Sequence, residues 1–60
     1  MDFIERTIEL ARKNVESGGR PFATIIVRGG EIIAEAANQV AQTHDPTAHA
    51  EVLAIRAACT

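Results

Sequence analysis

Ile25-Ile26-Val27-Arg28-Gly29-Gly30-Glu31-Ile32-Ile33 lies at the centre of the chain and decides its architecture. Isoleucine and valine branch at Cβ, and their stiff χ1 favours extended backbone. A glycine pair between two such runs signals a hairpin, because the tight turn that matches strand twist needs positive φ at its central residues. The spacing predicts a first strand over residues 22–27 and a second over 32–36. The first strand is apolar on both faces, as in a sheet covered on both sides. A preceding helix covers one face, and a cover for the other is expected from outside these sixty residues.

Upstream, residues 2–16 predict an amphipathic helix. Ile4, Ile8, Ala11 and Val15 recur at helical steps, with Phe3, Thr7 and Leu10 beside them. Glu5, Glu9, Arg12, Lys13 and Glu16 fill the opposite face. Asp2 is placed as N-cap, with Glu5 completing a capping box. Gly18-Gly19 supplies a left-handed stop, and Pro21 holds Arg20 extended. Downstream, residues 37–43 read as loop. Asp45-Pro46 reads as a second helix start, Asp45 capping and Pro46 at the first helical position. Ala48, Val52, Ile55 and Cys59 then repeat at helical steps, thickened by Ala50, Leu53, Ala54, Ala57 and Ala58. That helix is apolar almost all round and is expected to be buried. The order is helix, strand, strand, helix, and two strands with two helices are marginal as an independent unit.

Sixty residues form at most one small domain, which normally relies on disulfides, a metal or a partner. Cys59 is the only cysteine, so no disulfide forms within the chain. Six basic and eight acidic side chains give a net charge of −2, not the clustered basic patch of a nucleic-acid binder. No run is long and apolar enough for a membrane helix. The acidic start Asp2-Phe3-Ile4-Glu5 is unlike a signal peptide. A reduced, cytoplasmic protein is the expectation.

Two residues stand out chemically. His49 lies about one turn into the predicted helix. On its own it reads first as a partly buried histidine bonded to a backbone carbonyl, though a neutral imidazole at a helix start also suits a metal. Glu51 is a carboxylate on a segment otherwise read as buried, a costly position without a partner. Arg56 and simple exposure are the plain explanations. Residues two apart on a helix point about 200° apart, so periodicity alone does not bring His49 and Glu51 together.

The run Asn14-Val15, Gly18-Gly19-Arg20-Pro21-Phe22, Ile25-Ile26-Val27, Gly30-Glu31-Ile32-Ile33-Ala34-Glu35, Asn38 and Asp45-Pro46-Thr47-Ala48-His49-Ala50-Glu51-Val52-Leu53-Ala54-Ile55 resembles the N-terminal part of the cytidine and deoxycytidylate deaminase superfamily. The nearest likeness is to its bacterial guanine deaminase branch. The resemblance implies a three-layer α/β/α cytidine-deaminase-like fold, of which residues 1–60 supply helix, strand, strand and helix of a single, incomplete deaminase domain. It implies zinc-dependent hydrolytic removal of an exocyclic amine from a nucleobase or nucleoside, guanine to xanthine first. His49 would be a Zn²⁺ ligand, with two cysteines from a Pro-Cys-x-x-Cys motif outside these residues. Glu51 would be the proton-shuttling catalytic carboxylate. Asn38, the Ala50 N–H and Phe22 would contact the substrate. Phe22 reads equally as a core aromatic under the sheet, and Asn38 as a loop residue bonding its own backbone. Partners implied are a small nucleobase or nucleoside and a second copy in a dimer, with no membrane.

Alternatives within the class are adenosine in transfer RNA, cytidine and deoxycytidylate; only the first brings nucleic acid as substrate. From another class come a non-catalytic truncated fragment or interaction protein, and a site assembled from two polypeptides. The isolated chain is expected to be inactive, with one metal ligand. Cys59 does not replace the missing ligands, since ten helical residues separate it from His49 by about 15 Å. It reads as a small hydrophobe. Ala23 with Thr24, and Ala36-Ala37, stand where many relatives have glycine, which would narrow close backbone approach.

Overall fold

The computed structural model describes residues 2–60. Helix α1 spans Phe3–Glu16. Asp2 caps it, Oδ1 accepting from the N–H groups of Ile4 at 2.9 Å and Glu5 at 3.1 Å. Glu5 returns no side-chain bond among the described residues, so the capping box is one-sided. At the other end Gly18 takes φ +87°. Its N–H donates to Val15 O at 3.0 Å, and the Gly19 N–H to Asn14 O at 2.8 Å, a Schellman closure of the last carbonyls.

The apolar stripe of α1 lies about one position from where the isoleucines suggested. Phe3, Thr7, Leu10 and Asn14 turn inward, while Ile4, Ile8 and Val15 are half or more exposed. Asn14 is the one fully buried residue of the helix.

Strands β1 (Ala23–Arg28) and β2 (Glu31–Ala37) pair antiparallel. Gly29 and Gly30 both take positive φ, +57° and +81°, as a two-residue primed turn requires. The register runs Ile26↔Ala34 and then Val27↔Ile32, leaving Ile33 as a bulged extra residue that is 48% exposed. β2 reaches one residue further at each end than the β-branched run suggested.

Helix α2 is the single turn Val40–Thr43, in a stretch expected to be loop. It forms because Asn38 Oδ1 accepts the Val40 N–H at 3.1 Å and Gln39 O accepts the Thr43 hydroxyl at 2.8 Å. His44 closes it in the left-handed region, φ +58°.

Helix α3 spans Ala50–Ala58, four residues later than a start at Asp45-Pro46 would place it. The Asp45 carboxylate does not cap it. Instead Oδ1 accepts the Thr47 N–H at 2.9 Å and the Thr47 hydroxyl at 2.7 Å, closing a local turn. Those two bonds hold the Asp45 carboxyl below its ordinary range. His49, in extended conformation (φ −71°, ψ 148°), takes the N-cap position.

Both α1 and α3 pack on both strands and not on each other. A two-stranded ribbon, with strands about 4.8 Å apart, is too narrow to seat two helices about 10 Å wide side by side without contact. The helices therefore take opposite faces. Glu35 bonds Arg6 of α1, so its face belongs to α1, and Ala34 points toward α3. The second face is thus met from within the chain, against expectation. That cover is thin. Among the described residues the buried apolar ones are Ala34, Ala48, Ala50 and Ala54, and no large side chain is fully buried. Only Ala50 and Ala54 of α3 are buried, and Ile55 is 55% exposed. The apolar helix is half wet rather than a core helix.

Candidate active site

An open cleft of about 530 Å³ is lined by the start of α3, the segment entering β1 and the middle of α1. His49, Ala50, Glu51, Asn38 and Phe22 all line it. Five residues spread over thirty positions of sequence thus share one surface.

His49 and Glu51 meet because His49 lies outside the helix. Its Nδ1 is 3.2 Å from Glu51 Oε1, and both side chains are more than half exposed at the cleft mouth. On a continuing helix they would have pointed apart. The His49 side chain caps no backbone N–H. The N–H groups of Ala50, Glu51 and Val52 consequently have no acceptor among the described residues. Ala50 is buried, so its N–H sits on a fixed wall.

Asn38 is buried and held three ways. Its N–H donates to Phe22 O at 2.9 Å, its carbonyl accepts from Asn14 Nδ2 at 2.7 Å, and its Oδ1 accepts the Val40 N–H. The local backbone bond expected of a loop asparagine is present and uses the oxygen. An N–H must be met by oxygen, so the end left without a protein partner among the described residues is the amide NH₂. Any ligand contact from this side chain is therefore a donation to an acceptor.

Phe22 is 59% exposed and forms a wall of the cleft, not a core aromatic under the sheet. Thr7, Ile8 and Ala11 of α1, with Arg20, Pro21, Ala23 and Thr24, form the rest of the lining, and the sequence assigned none of them a contact with substrate. For Thr7 the signal existed in its place on the inward stripe. Arg20 carried none beyond its neighbours.

Among the described residues no three His, Cys, Asp or Glu side chains stand together as a metal site. His49 offers an accessible imidazole and fits as one ligand. Cys59 is exposed beyond the far end of α3, the whole helix away from His49. No helix among the described residues is long and apolar enough to cross a membrane.

The family described as the cytidine and deoxycytidylate deaminase zinc-binding region matches residues 1–60. The chain belongs to this family. It is 53% identical to the guanine deaminase of Bacillus subtilis (strain 168) over 58 residues, covering 95% of the chain and 37% of that protein. It is 47% identical over 57 residues to a tRNA-specific adenosine deaminase of Aquifex aeolicus (strain VF5), covering 95% of the chain and 38% of that protein. The crystal structure of the Bacillus subtilis guanine deaminase superposes with a TM-score of 0.89 at 51% identity, over 98% of the chain and 40% of that chain. A structure from work on tRNA:A34 deaminases superposes at 0.86 and 37% identity, over 95% of this chain and 44% of that one. The chain thus spans well under half the length of the relatives it matches. Its α/β arrangement is the helix–strand–strand–helix portion of the cytidine-deaminase-like fold, with the short turn α2 between β2 and α3.

Proposed function

We propose that these residues supply the histidine and carboxylate half of a zinc-dependent deaminase site acting on a nucleobase, guanine before others. The observation that carries this is the convergence of His49, Glu51, the Ala50 N–H and the Asn38 NH₂ on one cleft. The likeness to a guanine deaminase favours guanine. Asn38 and the Ala50 N–H are both donors, suited to the carbonyl and ring-nitrogen acceptors of a purine base. Phe22 offers an exposed ring for a base to stack on.

His49 would hold Zn²⁺ as one ligand, with two cysteine ligands from outside these sixty residues. Zinc, when bound, supplies the polarisation that makes hydroxide available near neutral pH. Glu51 would take a proton from water to the ring nitrogen and then carry the proton of the added hydroxyl to the amine, so that the C–N bond breaks with ammonia as leaving group and a ring carbonyl remains. On this proposal the sixty residues alone hold no stoichiometric zinc. The working form is a cytoplasmic homo-oligomer, the dimer first, an assignment supported by family resemblance alone.

A hybrid tests it. Residues 1–60 replace the aligned segment of the Bacillus subtilis guanine deaminase, and ammonia release is measured with guanine, a tRNA anticodon stem, cytidine and deoxycytidylate. Turnover of guanine is expected. The likeness to tRNA-specific adenosine deaminases favours the tRNA substrate as second reading. A folded, zinc-loaded hybrid that releases ammonia from none of them would refute the assignment.

A further inference from the structure

Asn14 is the buried polar residue that the site does not absorb, and its four hydrogen bonds all leave α1. Its Nδ2 donates to Arg20 O at 2.8 Å and to Asn38 O at 2.7 Å. Its Oδ1 accepts from Gln42 Nε2 at 2.9 Å and Gln39 Nε2 at 3.3 Å. Arg20 and Asn38 lie on two separate cleft walls, the segment entering β1 and the segment leaving β2. One amide group therefore ties both walls to the helix. The walls are tied to each other by the Asn38 N–H on Phe22 O, and the Phe22 N–H closes back on Arg20 O at 2.9 Å. The Gln39 N–H on Ala48 O at 2.9 Å carries the connection to the residue preceding His49.

We propose that Asn14 is a positioning residue of the cleft, fixing the separation of the Arg20–Phe22 and Asn38–Gln39 walls on which substrate placement depends. It touches no reacting group. Two donors on one rigid amide set two carbonyl oxygens at a common distance from one nitrogen. A hydroxyl or carboxylate at this position cannot hold both carbonyls. Gly19 completes the clamp, because a Cβ there would lie 2.6 Å from Asn14 Nδ2 and 2.8 Å from its Cγ, and would also strike the Gln42 amide. The glycine is needed for close approach and not for its backbone angle. The kinetic consequence rests on the proposed deaminase site, whereas the clamp itself does not.

The test uses the hybrid, in Asn14→Asp, Gly19→Ala and Gln42→Leu forms, with residue-resolved amide exchange and guanine kinetics. Asn14→Asp keeps the shape and the acceptor Oδ1 and removes both donors. Gly19→Ala leaves Asn14 in place and displaces its amide, and it carries the test if the aspartate variant does not fold. Gln42→Leu removes one acceptor-side bond and leaves both donors. Exchange at the Phe22, Asn38, Gln39 and Val40 N–H groups is expected to rise about tenfold or more in the first two variants, the scale of one lost hydrogen bond. The Leu53 N–H and the β1–β2 ladder are expected to keep their protection, and Gln42→Leu to resemble the parent. The KM for guanine is expected to rise about tenfold, with a smaller change in kcat and unchanged zinc content. Parent-like exchange at those four groups, or a uniform rise that includes Leu53 and the ladder, overturns the proposal. A hybrid inactive before substitution refutes the deaminase assignment, and exchange alone then decides the clamp.

Discussion

Two polar regions border the same cleft and are built in opposite ways. Around Asn14 every bond of a buried amide is met from within the chain, by carbonyls at 2.7 and 2.8 Å and by two glutamine amides. Around His49 and Glu51 the side chains face solvent, contact chiefly each other, and stand beside three backbone N–H groups without acceptors among the described residues. Burial raises the cost of an unmet polar group, so the Asn14 amide has to be met, and among the described residues only Gln42 Oε1 at its edge is left buried without a partner. Exposure lets the second remain open to a ligand. The fold places two exposed ionisable side chains on a rim whose walls are hydrogen-bonded from beneath.

The sharpest way to separate the two regions is to remove chemistry without touching structure. Glu51→Gln in the hybrid is expected to lower ammonia release by about 10³-fold while zinc and thermal stability stay unchanged. His49→Ala is expected to lose the zinc as well, measured by metal analysis. If Glu51→Gln retained most of the activity, the open region would be a surface pair and nothing more.

The complementary change breaks the closed region. Gly19→Ala forces a methyl against the Asn14 amide, and overpacking of this kind costs about 1–3 kcal/mol. Urea unfolding followed by circular dichroism measures it. Gly18→Ala gives a useful contrast, since a Cβ there meets nothing within 4 Å and its cost comes only from φ +87°.

The two regions also differ in how far they can be read from sequence. Local signals carried α1, its Asp2 cap and the hairpin, because Gly29-Gly30 and the β-branched runs act over a few residues. The cleft rim was misread where one residue type serves two local structures. Asp45 before Pro46 is a helix start by its chemistry, yet its carboxylate closes a turn on Thr47. That displacement makes His49 the cap and brings it to Glu51, which helical spacing had set apart. Five candidate residues were named through family resemblance, and the structure brings all five to the lining of one cleft. Asn14 was quoted in the matching run without a role, because its partners lie 6, 24, 25 and 28 residues away. Its signal was an amide on the stripe Phe3, Thr7, Leu10. The bulge at Ile33 and the turn α2 had no glycine or proline to announce them.

Phe22 joins the regions, its backbone belonging to the closed network and its ring to the open rim. Phe22→Ala is expected to leave stability within about 0.5 kcal/mol, as for an exposed side chain. The KM for guanine is expected to rise about tenfold through lost stacking. Equal loss of stability and binding would mean that the ring packs rather than binds.

The smallest effect belongs to a pair outside both regions. Arg6 grips Glu35 with two bonds, Nη2 to Oε1 at 2.6 Å and Nε to Oε2 at 3.0 Å, joining α1 to β2. This hydrogen bonding, with the guanidinium charge, holds the Glu35 carboxyl below its ordinary value of 4.5. A carboxyl lowered by folding stabilises the fold at pH above its unfolded value, where both states are ionised, and loses that contribution as pH falls through the folded value. Both side chains keep about a third of their surface in water (30% and 33%), so salt screens the pair and its worth is small. Glu35→Gln is therefore expected to lower the urea midpoint slightly near neutral pH. The difference from the parent should shrink in high salt and vanish once pH falls below the folded value. A difference that persists in acid would mean that the glutamine disturbs packing between α1 and β2, and that the ion pair contributes nothing.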